Sequence, residues 1–361
     1  MKKIFFLLFS VISLQISAVQ AQQKAVYGIE AKANYGFLMA HRRSMQHLIK
    51  GHVSGFELNL EKYPDGTKDW HKQFGYPTVG LSFYHADVGN LAQLGTASGV
   101  YPYINFPFGM GRKFRYNIAF GWGLGYMSNK FDLYENVKNI AIGSHINLIV
   151  GFRGECEWQL SKRLYYSAGL SFIHLSNAAF RIPNLGVNMP VVSSGFSYFF
   201  NNVENYSSEK LKLEHTNHKK TLVFFNVGIR EVLPLDYTKY TAFNFMVERA
   251  IVASPKTRAA GTIDLFWNNS LLPRYREING QNENPFLLQS GVSLSYQAII
   301  GNFSLLFYKG IYLLDETKLD GLFYHRVGCR YKIKEHLVAN MTLRSHFAKA
   351  DHLEFGIGYE F

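Results

Sequence analysis

Residues 351 to 361 read "DHLEFGIGYEF", and the order alternates without a break. Leu353, Phe355, Ile357, Tyr359 and Phe361 fall on one parity, and His352, Glu354, Gly356, Gly358 and Glu360 fall on the other. Successive side chains of an extended chain point to opposite faces, so this segment is a strand with one apolar face and one face of small or charged groups. The pattern repeats outward from there. Phe114, Tyr116, Ile118, Phe120, Trp122, Leu124 and Tyr126 share a parity, and Tyr27, Ile29, Ala31, Ala33 and Tyr35 alternate with Gly28, Glu30, Lys32, Asn34 and Gly36. Period two is the dominant signal from one end of the chain to the other.

A soluble sandwich would alternate as well, so the composition of the two faces has to decide. The chain holds 23 Tyr and 30 Phe, weighted to the apolar parity, and many of its 31 Gly sit inside strand-like runs that an ordinary sheet would keep free of them. Aromatic girdles outside and small residues in the lumen of a transmembrane barrel account for both. The closing Phe361 resembles the C-terminal signature of bacterial outer-membrane barrels. Past the N-terminal leader no apolar run reaches the roughly 20 residues that a membrane helix needs. The expected fold class is therefore all-β: an antiparallel transmembrane outer-membrane β-barrel of about 16 strands, with 14 as the alternative count. The strands are expected to begin near residues 25, 52, 78, 97, 114, 143, 163, 187, 221, 241, 259, 287, 303, 322, 337 and 352.

Turn chemistry assigns the two ends. With both termini in the periplasm, short links such as Gly301-Asn302 and Glu335-His336 face inward, and the longer segments 37 to 51, 128 to 142 and 270 to 285 face outward. The exception is "NNVENYSSEKLKLEHTNHKK", residues 201 to 220, a long polar connection on the periplasmic side. It divides the chain into a first half (22–200) and a second half (221–361). A single closed barrel over 22–361 is the preferred reading, because open sheet edges are not tolerated in lipid; two small barrels are the alternative. Whether the second half forms a lumen, fills one, or presents a homodimer surface is not encoded in the alternation.

Residues 1–21 read as a cleaved signal peptide: Lys2 and Lys3, an apolar run from Ile4 to about Val19, and small residues at Val19-Gln20-Ala21. Export to the cell outer membrane follows. The formal charge of +12 falls to +10 without Lys2 and Lys3, and a basic envelope protein has phosphate-bearing lipids, not nucleic acid, as its natural neighbours. Cys156 and Cys329 lie on apolar parities and read as small hydrophobes, with a disulfide as the alternative. Charges on the lumen parity, among them Arg153, Glu155, Glu157, Arg326, Arg330 and Lys332, are expected to form an ion-pair network in preference to a channel lining. No phosphate-cradling glycine loop or dinucleotide motif is present, and no cofactor is expected.

One strand breaks its own rule. In "GLSFIHLSNAAFRIPNLGVN", residues 169 to 188, His174 and Ser176 continue the parity of Leu164, Tyr166, Ala168, Leu170 and Phe172, and should face the bilayer near the outer end. Polar groups there are costly unless they lie at the interface and find partners. Residues i and i+2 are about 7 Å apart along a strand, within reach of a histidine nitrogen and a serine oxygen. A serine hydroxyl becomes nucleophilic when a base takes its proton, so the spacing supplies the minimum for acyl transfer to a lipid ester.

The run "HLSNAAFRIPNLGVN" resembles the motif of the outer-membrane lipid A 3-O-deacylase family (PagL type), in which His-x-Ser-Asn precedes a Pro-Asn-x-Gly turn. The match is clear over residues 172 to 188 and looser over the first eight strands, which makes 22–200 the deacylase-like half. The resemblance implies a carboxylic ester hydrolase acting on lipopolysaccharide, with Ser176 as nucleophile, His174 as general base and Asn177 as an oxyanion-hole donor. The family's acidic third member falls on Asn188, a departure: an amide oxygen can fix the imidazole tautomer but does not stabilise an imidazolium as a carboxylate does. Asn188 shares its parity with Val192, Ser194, Phe196 and Tyr198 on the returning strand, in position to meet His174. Where the family favours glycine this chain has Ala179, the second expected oxyanion position.

The first outer loop gathers His41, Arg42, Arg43, His47, Lys50 and His52. Arg42 and Arg43 are candidates for lipid A phosphates, since guanidinium forks match that geometry. The histidines come without a carboxylate or a fixed spacing, so no metal site is expected. The competing reading of the whole chain is a porin or transport barrel in which His174, Ser176 and Asn188 form a structural cluster.

Overall fold

Sixteen antiparallel strands make up the described residues, 25–109, 113–203, 219–347 and 349–361, of the computed structural model. The segment 1–21, expected to be a signal peptide, and most of the 201–220 connection lie outside them. The strands are β1 (Val26–Phe37), β2 (His52–Tyr63), β3 (Thr78–Asp87), β4 (Thr96–Phe108), β5 (Phe114–Met127), β6 (Ile146–Gln159), β7 (Leu164–Ser176) and β8 (Val187–Phe199). There follow β9 (Lys219–Arg230), β10 (Tyr240–Ser254), β11 (Thr257–Asn268), β12 (Leu288–Ile300), β13 (Phe303–Leu314), β14 (Phe323–Lys332), β15 (Leu337–His346) and β16 (Lys349–Glu360). Every start falls within three residues of its expected position. Two short helices, α1 (Asp69–Gln73) and α2 (Leu271–Asn279), sit in connections.

The strand count agrees with the sequence, but the closure does not. β1 pairs with β8, from Gly28 opposite Phe199 to Gly36 opposite Val191, and β9 pairs with β16. The chain forms two closed eight-stranded barrels in place of the single barrel expected over 22–361. The edge argument is satisfied, because each half removes its own edges. What decides between one barrel and two is the filling. Eight strands leave an interior just wide enough for side chains, and the inward parity of each half carries what is needed to fill it.

In the first barrel the filling is ionic. Lys32 bonds Glu155 and lies 3.0 Å from Glu30, and Arg153 lies 3.0 Å from Glu57, all with side chains almost wholly withdrawn from solvent. In the second, Arg326 bridges Asp264 and Glu354 at 2.9 Å each, and Arg330 meets Glu248 at 2.9 Å. The lumen charges named from the sequence are thus packed ion pairs, apart from Lys332, which is partly exposed and forms a separate pair with Glu360 at 3.3 Å. Buried charges are tolerated when each finds an opposite charge and further hydrogen bonds. The outer faces are apolar and open, as at Leu170, Val192, Ile263 and Leu294, and lipid is the solvent that suits them. Cys156 and Cys329 are free thiols, one in each barrel.

The barrels touch. The rings of Trp122 and Phe303 stack with centroids 5.3 Å apart. At the outer end, the segment after β7 meets the β9–β10 connection, where the Glu231 N–H donates to the Ala179 carbonyl at 2.9 Å.

Candidate active site

The outer end of β7 sets the site. Ile173 and Leu175 point into the barrel with 1% and 0% exposure, and His174 and Ser176 take the opposite face that Leu170 shows to the surroundings. The ladder with β8 puts Asn188 directly across from His174. His174 Nδ1 lies 2.6 Å from Asn188 Oδ1, and His174 Nε2 lies 2.9 Å from Ser176 Oγ. The amide oxygen can only accept, so Nδ1 carries the proton and Nε2 presents its lone pair to the serine hydroxyl. The three residues expected to act together are therefore joined, on the outer face and at the rim. Depth matters here, because a charge on the lipid face of a barrel costs about 2–4 kcal/mol at the midplane and about 0–1 near the interface.

A fourth group was not foreseen in this role. Asn188 Nδ2 donates to His41 Nδ1 at 2.9 Å. The first outer loop is tied down beside it by the Met39 N–H donating to the Asn188 carbonyl at 2.9 Å. An amide can turn either end toward a histidine, and an acceptor on its NH2 side decides which end. His41 supplies that acceptor, which keeps Oδ1 on His174. Gly186, at φ +84°, lies against the imidazole: a Cβ there would lie 2.8 Å from His174 Cε1. The bare backbone gives the imidazole its room.

Beyond Ser176 the chain turns sharply. Ala178 and Ala179 adopt φ of 51° and 61°, in the left-handed region that non-glycine residues seldom enter. Both are buried, at 2% and 7% exposure, and among the described residues neither N–H has a hydrogen-bond acceptor. Buried N–H groups without partners are rare, and two in succession on a turn are donors of the kind an anion accepts. Asn177 organises this turn. Its N–H donates to Asn184 Oδ1 at 3.1 Å, its Oδ1 accepts the Arg181 N–H at 3.2 Å, and its Nδ2 donates to Ser144 Oγ at 2.8 Å. One amide hydrogen of Asn177 is left to offer.

Arg42 and Arg43 stand at the start of a 3-10 turn, Arg43–Leu48, that Met45 and Leu48 anchor with 0% exposure. Both arginines are exposed at the rim, next in sequence to His41. The loop histidines are dispersed: His41 serves Asn188, His47 Nε2 lies 2.8 Å from the Lys138 carbonyl, and His52 stacks on Tyr35. A grouping with metal-ligand chemistry does occur in the second barrel, at Asp320, His346 and Asp351. Its carboxylates already face guanidinium groups, Asp320 with Arg274 at 2.7 Å and Asp351 with Arg230 and Arg344.

Two family models match the chain. The model described as lipid A 3-O-deacylase (PagL) covers residues 54–197, and the one described as acyloxyacyl hydrolase, C-terminal domain, covers residues 219–361. Each match lies within one barrel. No curated relative matches the sequence. Among solved structures, the outer membrane enzyme PagL aligns at 18% identity and a TM-score of 0.32, over 46% of this chain and 97% of that one. Neisserial surface protein A aligns at 9% and 0.33, over 48% and 96%. A porin of Rhodopseudomonas blastica aligns at 9% and 0.18, over 94% and 100%.

Proposed function

This chain belongs to the family of lipid A 3-O-deacylases and acyloxyacyl hydrolases, and from that premise we propose that it is an outer-membrane serine esterase that removes an ester-linked acyl chain from lipid A. The observation that carries the proposal is His174 joining Ser176 at 2.9 Å and Asn188 at 2.6 Å on the outer face of the barrel. A substrate diffusing in the outer leaflet reaches this face laterally, with no need to enter a lumen.

In the first step Ser176 Oγ attacks the ester carbonyl carbon while His174 Nε2 takes the hydroxyl proton. Negative charge gathers on the former carbonyl oxygen, and the unpaired N–H groups of Ala178 and Ala179, with the remaining Asn177 amide hydrogen, are the donors available to it. Such preorganised donors commonly contribute about 3–4 kcal/mol to the barrier. The imidazolium returns its proton to the departing sugar oxygen, leaving the acyl group on Ser176. Water, deprotonated by His174, then attacks the acyl-serine, and the fatty acid leaves as Ser176 regains its proton.

Asn188 holds the tautomer throughout but leaves the imidazolium without a neutralising charge, so turnover should be slower than with a carboxylate at that position. Arg42 and Arg43 are the groups to dock the substrate's phosphates. The packed interiors of both barrels favour this reading over a pore. The test is release of fatty acid from lipopolysaccharide by the refolded protein, with labelling of Ser176 by a lipophilic fluorophosphonate. Release and labelling that both disappear in Ser176→Ala support the assignment, and undiminished release by that variant rejects it.

A further inference from the structure

The second barrel has no part in the acyl transfer described so far, yet it grips the segment that follows the nucleophile. Glu231 lies just past β9 and is 1% exposed. Its carboxylate accepts the Ile182 N–H at 2.9 Å and Arg181 Nη1 at 3.1 Å, and Lys239 Nζ donates to it at 2.9 Å. Its own N–H reaches back to the Ala179 carbonyl at 2.9 Å. The neighbouring contacts run the same way. The Arg181 guanidinium lies 3.9 Å over the Tyr237 ring, and Lys239 lies 3.9 Å over Phe180 and donates to its carbonyl. Every residue from 179 to 182 is therefore held by the β9–β10 connection.

We propose that Glu231 is a positioning residue for the acyl-transfer site: it holds the left-handed turn at Ala178 and Ala179 whose N–H groups are free to bind the oxyanion, so that the functional site is completed by the second barrel. The inference rests on the serine-esterase reading above. Its physical basis is that left-handed alanines persist only where the surroundings over-determine them. Within residues 177–182, Asn177 fixes one end of the turn through Asn184 and Ser144, and Glu231 fixes the other through two backbone groups of the segment itself. An adhesive contact between barrels would need only side chains. Bonding a buried carboxylate to a backbone N–H four residues before Gly186 sets the path of the chain.

The experiment uses the full chain refolded in detergent and compares wild type, Glu231→Ala, Glu231→Gln and Ser176→Ala. Hydrolysis of lipopolysaccharide esters gives kcat and KM, a long-chain alkylboronic acid probes the tetrahedral state on Ser176, and heat-modifiable gel migration reports the folded fraction. Per folded protein, Glu231→Ala should lower kcat about 10–100-fold with KM changed less than about twofold, because misplaced oxyanion donors weaken only the transition state. Boronate affinity should fall by the same factor. Gln keeps an acceptor for the Ile182 N–H but loses the charge facing Arg181 and Lys239, so it should recover part of both. Were the alanine variant not to fold, the glutamine variant alone decides. Wild-type kcat and boronate affinity in the folded Glu231 variants, with Ser176→Ala inactive, would overturn the positioning role and leave the esterase reading standing. Full activity in Ser176→Ala would remove both.

Discussion

The seventh strands of the two barrels end almost alike and do quite different things. In β7 the histidine and serine are two residues apart, so His174 and Ser176 share the outer face and bond each other at 2.9 Å. In β15 they are adjacent, so Ser345 lies on the outer parity while His346 turns inward to Tyr312 Oη at 2.9 Å. Across the ladder His174 finds Asn188, whereas Ser345 finds Ala350. A one-residue change in spacing exchanges faces, because the side-chain period of a strand is two. The same two residue types thus make a linked pair at the lipid rim of one barrel, and in the other an outward serine and a separate histidine packed in the lumen.

Substitutions can break this comparison at several levels. The largest effect is expected at Ser176 and His174, where alanine at either position should lower kcat by about 10⁴-fold or more without loss of the folded barrel, measured by fatty-acid release. Asn188→Ala should cost roughly 10²–10⁴-fold by releasing the imidazole tautomer, and Asn188→Asp should raise kcat on the order of tenfold by adding the missing charge. A rate for the aspartate variant below that of wild type would mean that the His41–Asn188 arrangement is tuned for the amide.

Gly186→Ala brings a Cβ to 2.8 Å from His174 Cε1 at a left-handed φ, and should reduce kcat by about 10-fold or more while costing about 1 kcal/mol or more of stability in a denaturant titration. Arg42→Ala with Arg43→Ala should raise KM several-fold and leave kcat within about twofold, the signature of lost uniform binding. Ser345→Ala, the counterpart in the second barrel, should change neither constant, and a rate loss there would end the contrast between the two strands.

The strands and their faces were legible because alternation is local: five or six residues suffice to show which parity is apolar. The pair His174–Ser176 followed from parity on one strand; their roles and the partner Asn188 came from the motif resemblance, with which the parity of the returning strand agreed. Closure was not legible. Whether β1 meets β8 or β16 depends on pairings more than 150 residues apart, and nothing in the alternation marks them. The lumen charges held a usable signal, since a set of Lys, Arg and Glu that can neutralise one another within eight strands calls for a narrow, filled interior. His41 and Glu231 were beyond reach for another reason. Both lie in connections, where no periodicity constrains direction, and each meets the site through a contact set by tertiary folding.

The central claim is that the outer-face pair of β7 performs acyl transfer on membrane lipid, and mass spectrometry of lipid A from cells making wild type or Ser176→Ala at equal levels tests it most directly. Wild type should shift lipid A downward by the mass of one hydroxy-acyl chain, and the variant should leave it unchanged. The same shift in both, or none in either, would contradict the account.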